Sequence, residues 1–512
     1  MKLHKVFKNT YYDSVSLMSL TAKLNREYEF IELVILMGSE MNLEMIQAVG
    51  LFHDDMKGLT PNDLILAAET SNSDLKEKWV EIIFKHLNEK KVKSSQSQRV
   101  YRSITAAKKD VDANIAVISV PGRYAANEAR VALENNMHVM LFSDNVTIED
   151  EIVLKDLAIE KDLLLMGPDC GTAIINGKGL CFANNVSKGN IGLVAASGTG
   201  LQEVTVIIDR FGGGISQAIG VGGRDLSELV GGKMLLKAYD DLEKDEETEV
   251  IVLVSKPPHK SVAEKIYARL KSIVKPTVVC FLDSHSDYDA KDVYFASSLA
   301  GAALKALELT GTEVEDNSIL SSTEKQMIKE AKLLLHDDQT KLKGLFCGGT
   351  LTTEALSIIR EHVVSITSNI AKKKHEKMMN PFSSDGHVLV DMGDDVFTNG
   401  KPHPMIEPMI RLKRIIEESK NPETAVILLD FELGYGSHED PVGVTIDTIK
   451  KAQIIAEKAN RHLTFVAYVC GTSKDKQDLE KSEKMLRENG VIVTSTNAKA
   501  SFIAAQIVKE VA

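Results

Sequence analysis

Residues Asn190-Ile-Gly-Leu-Val-Ala-Ala-Ser-Gly-Thr-Gly-Leu-Gln-Glu203 pass from an unbroken apolar run, through a turn of small residues, into a segment with helical spacing. Continuous rather than alternating hydrophobicity belongs to a strand covered on both faces, which places it in a parallel sheet with helices above and below. A near copy, Leu342-Lys-Gly-Leu-Phe-Cys-Gly-Gly-Thr-Leu-Thr-Thr-Glu354, follows at a constant offset that sets Thr350 on Thr199 and Glu354 on Glu203. A second correspondence, Glu249-Val-Ile-Val-Leu-Val-Ser with Thr424-Ala-Val-Ile-Leu-Leu-Asp, has a larger offset, so the second copy is read as carrying an insertion over 372–408. Two duplicated flavodoxin-like modules account for both matches.

Working outward, similar apolar runs recur at Leu33 to Met37, Ile115 to Val120, Val139 to Phe142, Leu163 to Met166, Ala218 to Val221 and Thr277 to Leu282. The fold class is therefore α/β with doubly wound parallel sheets. At roughly 150 residues per domain, 512 residues make three to four domains. The expected division is a Rossmann-like domain over 1–185, a flavodoxin-like domain over 189–310, a linker over 311–340 and a second flavodoxin-like domain over 341–512. The polar stretch Glu89 to Arg99 reads as an exposed loop, and Thr310 to Thr323 as the domain boundary.

A net charge of −12, from 61 Lys+Arg against 73 Asp+Glu, argues against nucleic acid or an anionic membrane as partner, since such binding rests on clustered cations. Five widely spaced cysteines without a C-x-x-C pair suggest neither a disulfide framework nor a zinc knuckle, and fit a cytoplasmic setting. The start, Met1-Lys-Leu-His-Lys-Val-Phe-Lys8, lacks the apolar core of a leader, and the longest apolar runs fall far short of the ~20 residues a membrane helix needs.

Several turns could carry chemistry. In Ser197-Gly198-Thr199-Gly200 the chain leaves a strand and starts a helix through residues too small to block a ligand, so amides, dipole and hydroxyls together favour an anion such as phosphate. An ordinary Ser/Thr cap would look the same, but the repeated Gly348-Gly349-Thr350 favours two helix N-termini gripping one phosphate. Pro168-Asp169-Cys170-Gly171 follows a strand at the end where α/β sheets place ligands. Cys170 there reads as a packing residue before a nucleophile, because no base lies nearby in sequence. Gly222-Gly223-Arg224 permits close backbone approach, with Arg224 either a fork for phosphate or carboxylate or a partner of Asp225. In the insertion, Asp391, Asp394 and Asp395 surround a glycine, which makes Asp394 and Asp395 candidate Mg2+ ligands or an acidic capped turn. His403, between two prolines, is a candidate proton carrier or a structural residue. Gly434 and Gly436 give a further amide-rich loop after a strand.

With those residues in view, Asn114 to about Leu309 resembles the α subunit of succinyl-CoA synthetase, through Val120-Pro121, Phe142 to Val146, Gly167 to Cys170, Ser197-Gly198-Thr199 and Gly220 to Gly223. From Gly344 onward the chain resembles the carboxy-terminal domain of the β subunit, including Asp391 to Asp394. Over nearly its whole length it is similar to the FdrA family, through Asp13 to Met18, Phe52-His53-Asp54-Asp55, Thr60 to Asp63, Phe142 to Glu151, Val254 to Pro258, Phe295 to Ser298 and Gly400 to Met405. The succinyl-CoA synthetase resemblance implies a phosphorylated histidine, yet the matching segment Phe295 to Ala302 contains none. A catalytic glutamate is replaced by Ser255-Lys256-Pro257-Pro258, an ATP-grasp domain is missing between the halves, and Lys5 to Ser14 lacks the glycine turn of a coenzyme A site.

The FdrA resemblance implies a subunit of an oxamate carbamoyltransferase in allantoin and purine breakdown, converting oxalurate and phosphate to oxamate and carbamoyl phosphate with companion subunits. Lys256, Arg224 and His403 are then the candidate catalytic residues. Two alternatives stand beside it: an NDP-forming acyl-CoA ligase with a separate nucleotide-binding subunit, and a non-catalytic metabolite-binding scaffold. Coenzyme A and Mg2+ are the cofactors left open. The expected partners are a small phosphate or carboxylate substrate and further subunits in a homo- or hetero-oligomer.

Overall fold

The computed structural model describes residues 2–508, except 13, 29, 40–41, 44–45, 48–49, 94–100, 285–287, 315–319 and 399–401. Four calls therefore fall in part outside the described residues: the Asp13 and Gly400-Lys401 ends of two motifs, the later part of the Glu89 to Arg99 loop, and the middle of the Thr310 to Thr323 boundary. The chain forms two compact units, Met1–Arg102 and Ser103–Ala512.

In the first unit, β1 (Lys2–Phe7), β2 (Glu32–Met37) and β3 (Leu64–Glu69) make an antiparallel sheet in the order β1-β3-β2. Leu17, Leu24, Ile35, Leu66, Trp79 and Ile83 form its core with the helices Ser14–Glu27 and Ser73–Lys93. This corrects two expectations. The apolar run Leu33 to Met37 is buried on both faces, as a parallel strand would be, but it lies in an antiparallel sheet, and continuous hydrophobicity reports burial rather than strand direction. The segment read as an exposed loop begins inside the Ser73–Lys93 helix, because Lys and Glu are good helix formers without any apolar face.

The second unit opens with β4 (Ile115–Ile118), β5 (His138–Leu141) and β6 (Leu165–Met166) in one parallel sheet. The stretch read as a single Rossmann-like domain over 1–185 thus contains two unconnected sheets, and the last part of it, β7 (Thr172–Ile175) and β8 (Lys178–Cys181), joins a third. That third sheet adds β9 (Lys188–Ala195), β10 (Ile215–Gly220), β11 (Val250–Ser255), β12 (Thr277–Phe281) and β13 (Val293–Phe295), in the order β13-β12-β11-β9-β10-β7-β8. β9 to β13 are mutually parallel, while the β7–β8 hairpin runs antiparallel to β10.

The fourth sheet is parallel throughout: β14 (Lys341–Phe346), β15 (Ile366–Ser368), β16 (His387–Asp391), β17 (Thr424–Glu432), β18 (Thr464–Cys470) and β19 (Val491–Thr494), ordered β15-β16-β14-β17-β18-β19. Matching β9 with β14, β10 with β16 and β11 with β17 gives both halves the same flavodoxin-like order. The 372–408 segment is accordingly not a pure insertion, for it holds β16, the counterpart of β10.

The halves share one core. Leu201, Val204 and Ile207 of the helix Gly198–Arg210, together with Leu299 and Ala303 of the helix Leu299–Leu309, pack in one apolar cluster with Leu351, Ala355 and Ile359 of the helix Gly349–Ile359 and Ile503 and Ala504 of the helix Asn497–Val508. Polar ties reinforce the seam. Arg210 donates to the carbonyls of Gly471 (2.7 Å) and Ser495 (3.2 Å), and Asn184 donates to Asp475 at 2.8 Å.

Candidate functional site

Both repeated turns start a helix at the aligned glycine, Gly198 in one half and Gly349 in the other. Ser197 caps the first, its Oγ accepting from the Gly200 amide at 2.9 Å. Gly348 occupies the same place in the second and has no side chain to cap with. The two N-termini meet directly: the Ser197 and Thr350 hydroxyls are hydrogen-bonded to each other, and the Thr350 amide approaches Thr199 Oγ1 at 3.4 Å. Small residues make this approach possible. A Cβ on Gly348 would lie 3.0 Å from Thr199 Cγ2, and one on Gly200 would lie 2.9 Å from Thr350 Cγ2. The first-turn amides of Gly198, Thr199 and Gly349 have no acceptor within their own helices, so positive potential concentrates where the helices face one another.

Two charged side chains border the Gly349 turn. A Cβ there would stand 3.2 Å from Lys256 Nζ and would collide with Asp391 Oδ2. Lys256 follows β11 and Asp391 ends β16, so each comes from the carboxyl end of a parallel strand, where α/β sheets place ligands. Asp391 is 7% exposed, and its other oxygen accepts from the Gly393 amide at 2.9 Å. Burial pushes its carboxyl up to about 7, against the opposing pull of Lys256 and the Gly393 amide. Asp391 can therefore hold or release a proton near neutrality.

The remaining expected residues fall into distinct places. Asp169 lies within electrostatic reach of Lys256 and Arg224. Arg224 itself donates to the Val146 carbonyl (2.8 Å) and pairs with Glu151 (2.9 Å), not with Asp225. Asp225 is held instead by Lys155, which also pairs with Glu151, both at 2.8 Å, in a group whose three side chains are fully buried. Arg224 is thus anchored as the outer member of a structural network. Cys170 is buried and its thiol is pushed up to about 12 by burial, which leaves no thiolate for nucleophilic attack.

Pro168 packs its carbonyl against Gly222, where a side chain would collide, while Gly223 opens on free space and Gly171 faces Phe182. Gly434 and Gly436 sit against Ala183 and Cys181, and the Tyr435 amide donates to the Ala183 carbonyl at 2.9 Å, so this loop stitches the halves together. His403 packs on Gly393, and burial lowers its imidazole to about 4, which keeps it neutral at pH 7. Asp394 accepts from the Val396 amide at 3.1 Å as the cap of the short helix Asp395–Thr398, and Asp395 is exposed. That is the acidic capped turn, one of the two readings of this motif.

Buried carboxylates beneath the turns were not legible as site residues. Asp430, on β17, accepts from the amides of Cys347 (2.8 Å) and Gly348 (2.9 Å), occupying with the protein's own charge part of what the sequence offers as an anion site. Glu432 lies under Gly348, with burial and then Asp430 holding its carboxyl well above the usual range. The aligned Glu203 and Glu354 both turn inward and meet at Asn497, whose backbone amide donates to Glu203 (3.2 Å) and whose side chain donates to Glu354 (2.8 Å). Their shared place in the repeat was the available signal.

Known proteins match this arrangement. Residues 345–507 fit the CoA-ligase family, 186–282 the CoA binding domain and 1–102 the AllF heavy metal-associated domain. The protein YahF of Escherichia coli is 46% identical over 98% of this chain and 97% of its own length. The chain belongs to the YahF family. Part of the chain is also similar to succinate–CoA ligase: subunit alpha 2 of the Archaeoglobus fulgidus ADP-forming enzyme is 27% identical over 42% of this chain and 77% of its own length. Among solved structures, the apo dinucleotide-forming acetyl-coenzyme A synthetase 1 of Ca. Korarchaeum cryptofilum covers 81% of this chain and 86% of its own at 16% identity, with a TM-score of 0.30. The CoA-ligase and CoA binding domain matches, with the likeness to succinate–CoA ligase subunit alpha, support an acyl-CoA synthetase scaffold for this YahF-family chain.

Proposed function

We propose that this chain is an FdrA-like subunit of a multi-subunit oxamate carbamoyltransferase, moving a carbamoyl group between oxalurate and phosphate. The observation that carries the reading is the junction of two helix N-termini at Ser197 and Thr350 with Lys256 and Asp391 beside it, in a chain with no histidine in Phe295 to Ala302. Such a junction suits a phosphoryl group and a carboxylate, while that segment offers no histidine to carry phosphate as a phosphoramidate. The match of residues 1–102 to the AllF domain supports an allantoin-related setting.

In this reading a phosphate oxygen attacks the carbamoyl carbon of oxalurate, a carbon–oxygen bond forms, and the bond from that carbon to the oxamate nitrogen breaks. The departing nitrogen takes a proton. Asp391, with its carboxyl near neutrality, supplies it, and Lys256 pairs with the substrate's negative charge. The cytoplasm, where thiols stay reduced, suits its five free cysteines.

Fit to the CoA-ligase and CoA-binding families supports a second reading, ligation of an acyl group to coenzyme A with a nucleotide-binding partner. One experiment separates them. The chain, purified with its companion subunits, is assayed for carbamoyl phosphate from oxalurate and phosphate, and in parallel for ADP formation dependent on coenzyme A. Carbamoyl phosphate without ligation is expected; ligation without carbamoyl phosphate rejects the first reading in favour of the second.

A further inference from the structure

His4 on β1 and His53 and Asp55 in the loop after β2 converge on one point of the first unit. His4 Nε2 is 3.1 Å and His53 Nδ1 3.4 Å from the same oxygen, Oδ2 of Asp55. The two imidazole rings stack with centroids 3.7 Å apart and an interplanar angle of 20°, so one ring has to turn about its Cβ–Cγ bond before both nitrogens can face the same ion. All three donor atoms lie within 4.8 Å of one another, the spread of ligands around one small cation. Asp55 is 67% exposed on its side chain and His53 49%, which leaves the point open to solvent.

We infer that His4, His53 and Asp55 bind a divalent first-row transition metal. Two imidazoles and one carboxylate suit Zn2+, Ni2+ or Cu2+, and the three donors on one side leave further positions for water or an incoming ligand. Residues 1–102 contain no cysteine, so this unit has no thiolate to select a soft ion such as Cu(I). The fold has preset the donors. β1 pairs along its whole length with β3, which fixes His4, and His53 caps a short 3-10 turn, Asp54–Met56, that fixes Asp55. For a metal to enter, the 3.1 Å hydrogen bond between His4 Nε2 and Asp55, the 3.3 Å bond by which the Asp55 amide donates to His53 Nδ1, and the ring stack have to yield. The assignment is independent of the carbamoyl-transfer reading, because none of its residues belongs to that site.

Calorimetric titration of the full chain with Zn2+ tests it, alongside electron paramagnetic resonance of the protein loaded with one equivalent of Cu2+. The expected result is one tight equivalent of Zn2+ and a Cu2+ spectrum with coupling to two nitrogens, both lost in the double variant His4→Ala/His53→Ala. Asp55→Asn should weaken Zn2+ binding by about tenfold or more while the circular dichroism spectrum is unchanged. Zn2+ affinity and Cu2+ coupling unaltered in the double variant, or no Zn2+ bound at micromolar concentration by the unaltered chain, would overturn the assignment.

Discussion

The hydroxyls of Ser197 and Thr350 are hydrogen-bonded to one another across 153 positions of sequence, joining the starts of two helices that the chain's internal repeat makes equivalent. Both helices aim their N-termini at the same place, so their partial positive charges, roughly half a unit each, add there.

Space around the two glycines differs, and so should the cost of filling it. A Cβ on Gly198 meets nothing closer than Thr172 Oγ1 at 3.5 Å, whereas one on Gly349 is driven into Asp391 and toward Lys256. Gly349→Val should weaken phosphate binding at least tenfold and Gly198→Ala less than threefold, with folding intact in both. Equal effects measured by calorimetry would refute the paired-helix site.

Lys256 is the one cation beside the Gly349 turn for which the described residues show a clear approach to the junction. A charge-assisted contact in a poorly solvated cleft contributes about 1.5 to 3 kcal/mol, so Lys256→Ala should lower turnover at least tenfold and Lys256→Arg less. The assay is steady-state kinetics in the assembled complex with each substrate varied. A loss below twofold for both substrates would assign Lys256 to the surface.

No histidine should become phosphorylated on incubation with a nucleoside triphosphate or an acyl phosphate, since Phe295 to Ala302 has none. Base-stable, acid-labile phosphate on any of the 13 histidines would bring the ligase reading to the front.

Removing Lys155 leaves Glu151 and Asp225 fully buried without their cation. Lys155→Met should therefore cost about 3 to 5 kcal/mol of stability, read from urea unfolding. Arg224→Ala, at the exposed end of the same network, should cost far less.

Glu203 has its carboxyl pushed from 4.5 up to about 8, first by burial and then by Glu354. The folded state keeps a proton that the unfolded chain gives up, so this group's contribution falls as pH rises from 4.5 to about 8. Glu203→Gln removes that slope. The variant's stability relative to the parent should improve steadily across this window, and a constant difference would contradict the assignment.

The parallel sheets and the helix starts at Gly198 and Gly349 were legible because strand, turn and helix each leave a local mark in the repeat. Local marks also misled. Leu33 to Met37 has the composition of a buried strand whichever way its neighbours run, and the second copy of the repeat hid β16 inside an apparent insertion. The site was half legible. Small residues and hydroxyls announced the anion-binding turns, but Asp391 and Asp430 gain their importance from strands that meet only in the folded chain, and Arg224 was claimed by Glu151, a partner far off in sequence.

The seam that Arg210, Asn184 and the buried glutamates hold together lies within a single polypeptide. Tethered partners meet at an effective concentration set by the linker and not by how much protein is present, of millimolar order for short flexible tethers. Dilution cannot part the two halves, and a mutation that loosens the seam is countered by the chain itself. The paired turns thus keep their register at any expression level, a security that a site divided between separate subunits would have to obtain from abundance.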